Sequence, residues 1–218
     1  MSETSQIVPL GDRAMLVRFG STMDDRANRR AQTLARALLA DPIAGAVEIV
    51  PSLVSVLVRY DPDTIGPVRL AGEIGLRLTE KADTRVTTHR ISVHFGGADG
   101  PDLEDLAAGL KLDPAEFIKQ HCAAPLRILA TGFAPGFVYC GFHPPALNVP
   151  RRLQVRPRVP AGSVLFAAGQ TAIAATDIPT GWHVIGRTDF RNFDPELMPP
   201  TQLDTRKNPR AFDAVVIH

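Results

Sequence analysis

The chain has 218 residues, 44% of them hydrophobic and 22% charged, with a formal net charge of +1. That length holds one or two domains with ordinary cores, and the composition excludes global disorder. The small net charge argues against a general nucleic-acid or membrane-surface binder, and the two cysteines, Cys122 and Cys140, form neither a disulfide framework nor a zinc-site pattern. The N-terminal stretch "MSETSQIVPLGDRAMLVRFG" lacks a basic segment followed by an apolar one, so no signal peptide is expected. No apolar run reaches the ~18 residues of a membrane span. A cytoplasmic location is the expectation.

Residues 14–19, "AMLVRF", alternate as a half-buried strand does. Ser21 and Asp24 have capping-box spacing, and Ala27, Ala31, Leu34, Ala35 and Leu38 then repeat at helical intervals. Asp41-Pro42 ends that helix. "VEIV" and "LVSVLVRY" are β-branched runs, and "DPDTIGP" is turn chemistry. Val68, Leu70, Ile74, Leu76 and Leu78 outline a second helix, and "RVTTHRISVHF" (85–95) is extended. The order β-α-β-β-α-β predicts a ferredoxin-like N-terminal domain over residues 1–88, with the alternative that the last strand opens the next domain.

Two short helices follow, the second opened by Asp113, Pro114 and Glu116 as N-cap, first-turn proline and first-turn acid. They resemble a helix-turn-helix only superficially, because a reading helix would carry basic side chains. After residue 125 the chain reads as strands and turns: "LRILAT", "SVLFAA", "TAIAAT", "WHVIG" and "AFDAVVIH". This predicts a closed or nearly closed β domain over residues 89–218.

Three stretches carry candidate chemistry. "TGFAPGFVYCGF" (131–142) sets Phe133 and Phe137 around Pro135-Gly136, either to show aromatic faces to a ligand or partner, or to fill a barrel. "PRRLQVRPRVPAGSV" (150–164) places Arg151, Arg152, Arg156 and Arg158 on a proline-stiffened segment before Gly162-Ser163. Guanidinium groups pair with carboxylates or phosphates, and a solvated basic loop is the alternative. It lacks the G-K-[ST] of a phosphate-binding loop. "GQTAIAATDIPTGWHVIGRT" (169–188) contributes Gln170 and Thr171 at the mouth of an apolar strand, Trp182 and Arg187. The histidines are scattered without metal spacing, and no G-x-S-x-G elbow is present. Cys140 has no nameable base and reads as an inert buried thiol. No catalytic residue and no metal ligand is identified.

"GDRAMLVRFG", "PSLVSVLVRYDP", "FGGADGPDLEDLA", "GFAPGFVYCGF", "PRRLQVRPRVPAGSV", "GQTAIAATDIPTGW" and "IGRTDFRNFDP" follow one another as in the KipI-like, allophanate hydrolase subunit 1 family, which the chain resembles over residues 9–200. The family includes the B-type subunit of the bacterial ATP-dependent 5-oxoprolinase. The resemblance implies an α+β chain: a small α/β N-terminal domain followed by a cyclophilin-like β-barrel. It implies a homologous second subunit, of the allophanate hydrolase subunit 2 or 5-oxoprolinase C type, a lactam-utilisation subunit, and ATP with Mg used by the complex. No biotin attachment site is expected in this chain. It implies hydrolysis of a cyclic amide, 5-oxoproline to glutamate. The alternatives are an allophanate hydrolase or urea-carboxylase-type carboxyltransferase subunit, and a non-catalytic regulator that inhibits a sensor histidine kinase by binding.

By motif, the implied substrate-binding residues are Arg158, Ser163, Gln170, Arg187, Phe133, Phe137, Trp182, Thr171, Gly136 and Arg151. The chain departs from the family at Ala172 and Thr180, where glycines are expected. It departs again at Ala174-Ala175, where Tyr-Pro is expected, and in "RKNPRAFDAVVIH", which lacks a Gly-Asp.

Overall fold

The computed structural model describes residues 5–78, 86–204 and 212–218. The chain divides into two compact units, the first holding the described residues up to Leu78 together with Phe212, and the second Val86–Asp204 and Asp213–His218. The stretch between the last helix of the first unit and the first strand of the second lies outside the described residues, as does the segment around the missing Gly-Asp.

In the first unit, β1 (Gln6–Pro9), β2 (Ala14–Arg18), β3 (Ala46–Pro51) and β4 (Ser55–Tyr60) form a sheet of order β1-β2-β4-β3. All its pairings are antiparallel. The helices are α1 (Asp25–Ala40) and α2 (Pro67–Leu76). Met15 and Val17 of β2 lie opposite Val58 and Val56 of β4, so period-2 alternation puts one apolar row of each strand on the same face. That face meets Ala27, Ala31, Leu34, Ala35 and Leu38 of α1 and Leu70 and Ile74 of α2. The helix starts later than the capping-box spacing predicted. Asp24 is the N-cap and accepts from the Ala27 amide at 3.0 Å.

The ferredoxin-like order is not formed. The strand after α2 does not return to this sheet; Gln6–Pro9 holds the edge beside β2 instead. A tight turn joins β1 to β2, so their pairing closes a far shorter loop than a return from residue 85 would.

The second unit holds β5 (Val86–Ile91), β6 (His94–Phe95), α3 (Leu103–Gly109), α4 (Pro114–His121), β7 (Leu126–Thr131), β8 (Val138–Gly141), β9 (Arg156–Val159), β10 (Ser163–Ala167), β11 (Gln170–Ile173), β12 (Ile178–Thr180), β13 (His183–Arg187) and β14 (Phe212–Ile217). Eight of these make one sheet, ordered β5-β14-β7-β8-β11-β10-β13-β6, and β9 and β12 pair as a separate ribbon. The edge strands β5 and β6 are joined by Ser92 and Val93 alone. Seven strand spacings of a flat sheet span about 34 Å, and a two-residue link spans at most about 11 Å. The sheet therefore curls until its edges approach, giving a half-barrel.

The interior of this unit is apolar on both faces of the central strands. Val164 and Phe166 of β10 pack with Leu103, Leu106 and Phe117 of α3 and α4. Leu165 and Ala167, pointing the other way, pack with Val159, Ala172, Trp182 and Val184. Helix α4 starts as its sequence predicts, with Asp113 accepting from the Glu116 amide at 2.8 Å and Pro114 in the first turn.

Candidate functional site

The arginine stretch is divided by its partners. Asp102, which precedes α3, is buried. Its Oδ1 accepts from the guanidinium groups of both Arg152 and Arg156, and its Oδ2 accepts from the Val184 amide at 2.8 Å. Two of the four arginines thus clamp the segment to β13. Arg151 instead lies 5.6 Å over the Trp182 ring. Arg158 extends to the surface and donates to Asp177, whose other oxygen accepts from the Ala161 amide at 2.9 Å. That amide and the Arg158 guanidinium hold the Asp177 carboxyl below its ordinary range.

Ser163 and Arg187 are directly opposed across the β10–β13 pairing. The turn before Ser163 requires glycine. Gly162 has φ +86°, and a Cβ there would stand 2.3 Å from the Thr188 carbonyl oxygen. The Ser163 hydroxyl is buried and donates to the Pro160 carbonyl at 2.7 Å, which leaves its lone pairs to accept. Ser163, Arg156, Arg158, Arg187, Asp99 and Val184 line a cavity of about 160 Å³. Arg187 also lines a second, larger cavity of about 560 Å³ on the far side of the turn. Positive charge exceeds negative on the walls of the smaller cavity, which suits an anionic group of small size.

The aromatic turn serves mainly as packing. Phe137 is 3% exposed and Trp182 7%, whereas Phe133 is 72% exposed with φ +77°. Phe133, Phe137, Tyr139 and Trp182 follow one another edge to face at centroid separations of 5.4, 4.8 and 6.0 Å. A Cβ on Gly136 would lie 2.6 Å from the Phe193 Cβ, so that position admits only glycine.

Gln170 and Thr171 are the first two residues of the apolar strand β11, and both are buried. The Thr171 hydroxyl lies 2.7 Å from His121 Nε2 and 2.8 Å from His143 Nε2, and the two imidazoles stack at 4.6 Å. The hydroxyl can donate to one ring and accept from the other, which satisfies both neutral rings. Burial pushes His121 down to about 3, with the His143 charge adding to it, and His143 down to about 4. This cluster contradicts the reading of the histidines as scattered. α4 and β8 bring together residues far apart in sequence, and no spacing signals it. Cys140 is fully buried and its thiol is pushed up to about 12, far from a working nucleophile.

The ten implied residues therefore fall into three places. Arg158, Ser163 and Arg187 share the small cavity; Phe133, Phe137, Trp182, Gly136 and Arg151 belong to the aromatic turn and its rim; Gln170 and Thr171 lie in the interior. Among the described residues no group of three or more histidine, cysteine or acidic side chains is placed to hold a metal, and no helix is long and apolar enough to cross a membrane.

Residues 5–203 match the family described as carboxyltransferase domain, subdomain C and D. The chain is 34% identical over 216 residues to the B-type subunit of the Bacillus subtilis 5-oxoprolinase, covering 93% of this chain and 90% of the relative. It superposes on the crystal structure of the protein TTHA0988 with a TM-score of 0.81 at 34% identity, over 94% of this chain but 39% of that longer one. The Kluyveromyces lactis urea amidolyase contains the same fold, with a TM-score of 0.75 at 16% identity over all of this chain and 15% of the amidolyase.

Proposed function

The chain belongs to the family of carboxyltransferase-domain subdomains C and D, and from that premise we propose that it is the B-type subunit of an ATP-dependent 5-oxoprolinase. In this reading water adds across the lactam C–N bond of 5-oxoproline to give glutamate. The curled sheet of the second unit is the cyclophilin-like barrel, and it works against a homologous C-type subunit and a lactam-utilisation subunit. The observation that carries the reading is the opposed Ser163–Arg187 pair, with Arg158 alongside, on a cavity of about 160 Å³. Fixed guanidinium groups there hold the substrate carboxylate by paired hydrogen bonds, and fixed donors also stabilise charge that develops at an amide oxygen. The cavity suits a molecule no larger than a five-membered lactam acid.

ATP and Mg belong to the assembled complex. No G-K-[ST] turn precedes a helix in this sequence, so the reading gives the triphosphate to the other subunits. No step is assigned to ATP on this chain.

The reconstituted complex is expected to hydrolyse ATP only when 5-oxoproline is present. Arg187→Gln should lower kcat/KM for 5-oxoproline roughly 10- to 100-fold, the worth of a charged hydrogen bond. Absence of 5-oxoproline-dependent turnover, beside an active control complex, would overturn the assignment. The exposed Phe133 supports a second reading, a regulator that docks on a sensor kinase. Stoichiometric kinase inhibition without turnover would select it.

A further inference from the structure

The larger of the two cavities has no part in the proposed lactam chemistry. It lies between the Ala161–Gly162 turn and the segment that leaves β13, and Phe190, Phe193, Arg187, Arg191, Asp189 and Ala175 line it. Its volume of about 560 Å³ falls within the range of small-molecule sites and is several times that of the neighbouring cavity.

The wall formed by residues 188–193 is held from behind. The side chain of Asn192 is 1% exposed. Its Nδ2 donates to the Gly136 carbonyl at 2.9 Å and to the Leu203 carbonyl at 3.0 Å, and its Oδ1 accepts from the Leu203 amide at 2.6 Å. Thr188 Oγ1 accepts from the Phe190 amide at 3.1 Å, and Gln202 Nε2 donates to the Arg191 carbonyl at 3.0 Å. The Gly136 backbone presses against Phe193 so closely that a Cβ would not fit. These bonds fix the residues on either side of Asn192, so Phe190, Arg191 and Phe193 face the cavity from an anchored backbone.

Phe190 and Phe193 are half-buried, and Arg187 and Arg191 are exposed. Among the described residues neither Arg187 nor Arg191 has a carboxylate within ion-pair distance. Asp189 is the opposing charge on the wall, so positive charge prevails. Partly exposed rings beside Arg191, with Arg187 at the border of the two cavities, match an amphipathic anion on this anchored wall: the ring gains contact with Phe190 and Phe193, and the anionic group gains paired donors.

We infer that this cavity binds a small organic anion whose carboxylate is carried on an aromatic or otherwise planar ring. The site is separate from the Ser163–Arg158 cavity and meets it only at Arg187. It deepens the proposed function as a second ligand subsite of the same subunit, yet it is tested on the chain alone.

The probes are benzoate, benzamide and acetate, titrated into the purified chain at neutral pH by calorimetry and by ligand-observed NMR. Benzoate is expected to bind saturably at one equivalent. Benzamide, which lacks the charge, and acetate, which lacks the ring, should bind at least ten-fold more weakly. Arg191→Gln, a substitution at an exposed side chain, should weaken benzoate ten-fold or more. Arg158→Gln should leave benzoate affinity unchanged while impairing 5-oxoproline turnover in the complex. The inference is overturned by no saturable benzoate binding, by equal binding of benzamide, or by benzoate binding that Arg158→Gln abolishes and Arg191→Gln spares. The last result would leave the lactam reading standing with the groove empty of function.

Discussion

Gly162 shows how one residue holds the candidate site together. Its amide donates to the Ala174 carbonyl at 2.7 Å, its carbonyl accepts from the Thr188 amide at 2.9 Å, and its φ is +86°. A methyl group would meet backbone, which cannot rotate away. Gly162→Ala is expected to cost about 3 kcal/mol in urea unfolding of the second unit and to separate Ser163 from Arg187. A variant with unchanged midpoint and unchanged turnover would show that the turn tolerates relaxation. At this scale the sequence was partly legible. Gly162-Ser163 was marked as the end of the proline-stiffened arginine segment, but the positive φ at Gly162 was not, because it is imposed by the Thr188 backbone from a distant strand end. The aromatic turn was legible only as a choice between wall and filling, because composition does not encode exposure. The structure divides that choice, exposing Phe133 and burying Phe137. His121, Thr171 and His143 were illegible, since only the register of β11 against β8 and the end of α4 bring them into contact.

Elements are joined here by buried charge as well as by apolar faces. Asp102 ties the approach to β9 to β13 by accepting from Arg152, Arg156 and the Val184 amide. Asp102→Ala leaves two partly buried guanidinium groups and an amide without their acceptor, and should destabilise the second unit by about 3 kcal/mol. Replacing Arg152 and Arg156 by leucine in the same variant should recover a substantial part of that loss, because the uncompensated charges go with them. Equal stability of the single and triple variants would refute the clamp. The sequence presented four arginines as one recognition set. Their division into clamp, ring cover and cavity wall depends on Asp102 and Asp177, which no local pattern links to them. The strands themselves were legible from alternation, but the partner of the 85–95 stretch was not. Strand pairing is decided by loop closure and by competing edges, neither of which is written in a single segment.

Across the whole molecule, charge on folding is distributed unevenly. All six histidines lie at residue 89 or beyond, so the first unit carries none. His121 and His143 have folded values near 3 and 4, below the ordinary 6.5 that they regain on unfolding. A depressed histidine makes the unfolded chain bind more protons, so stability is full above pH 6.5 and is lost as pH falls toward 4. By pH 5 the loss reaches about 2 kcal/mol per histidine. The second unit should therefore lose stability between pH 6.5 and 4.5 while the first does not. Tryptophan fluorescence isolates the second unit, because Trp182 is the sole tryptophan. Superimposable unfolding curves at pH 7 and pH 5 would contradict the neutral, buried pair. That strands dominate after residue 125 was legible from the run of short β-branched segments divided by Gly and Pro. The curl of the large sheet was not, because it follows from the two-residue link between its edges and not from any strand's composition.

The place of β14 in that sheet bears on how the protein is made. It lies between β5 and β7, and the chain supplies it last of all the strands. During synthesis β5 emerges early and then waits, on the order of ten seconds at ordinary elongation rates, for the neighbour that covers its inner edge. Until then β5 and β7 each present an unpaired ladder to other nascent chains. Completion of the half-barrel thus follows the emergence of every other strand. Deleting residues 212–218 should yield an aggregating second unit rather than a smaller folded one.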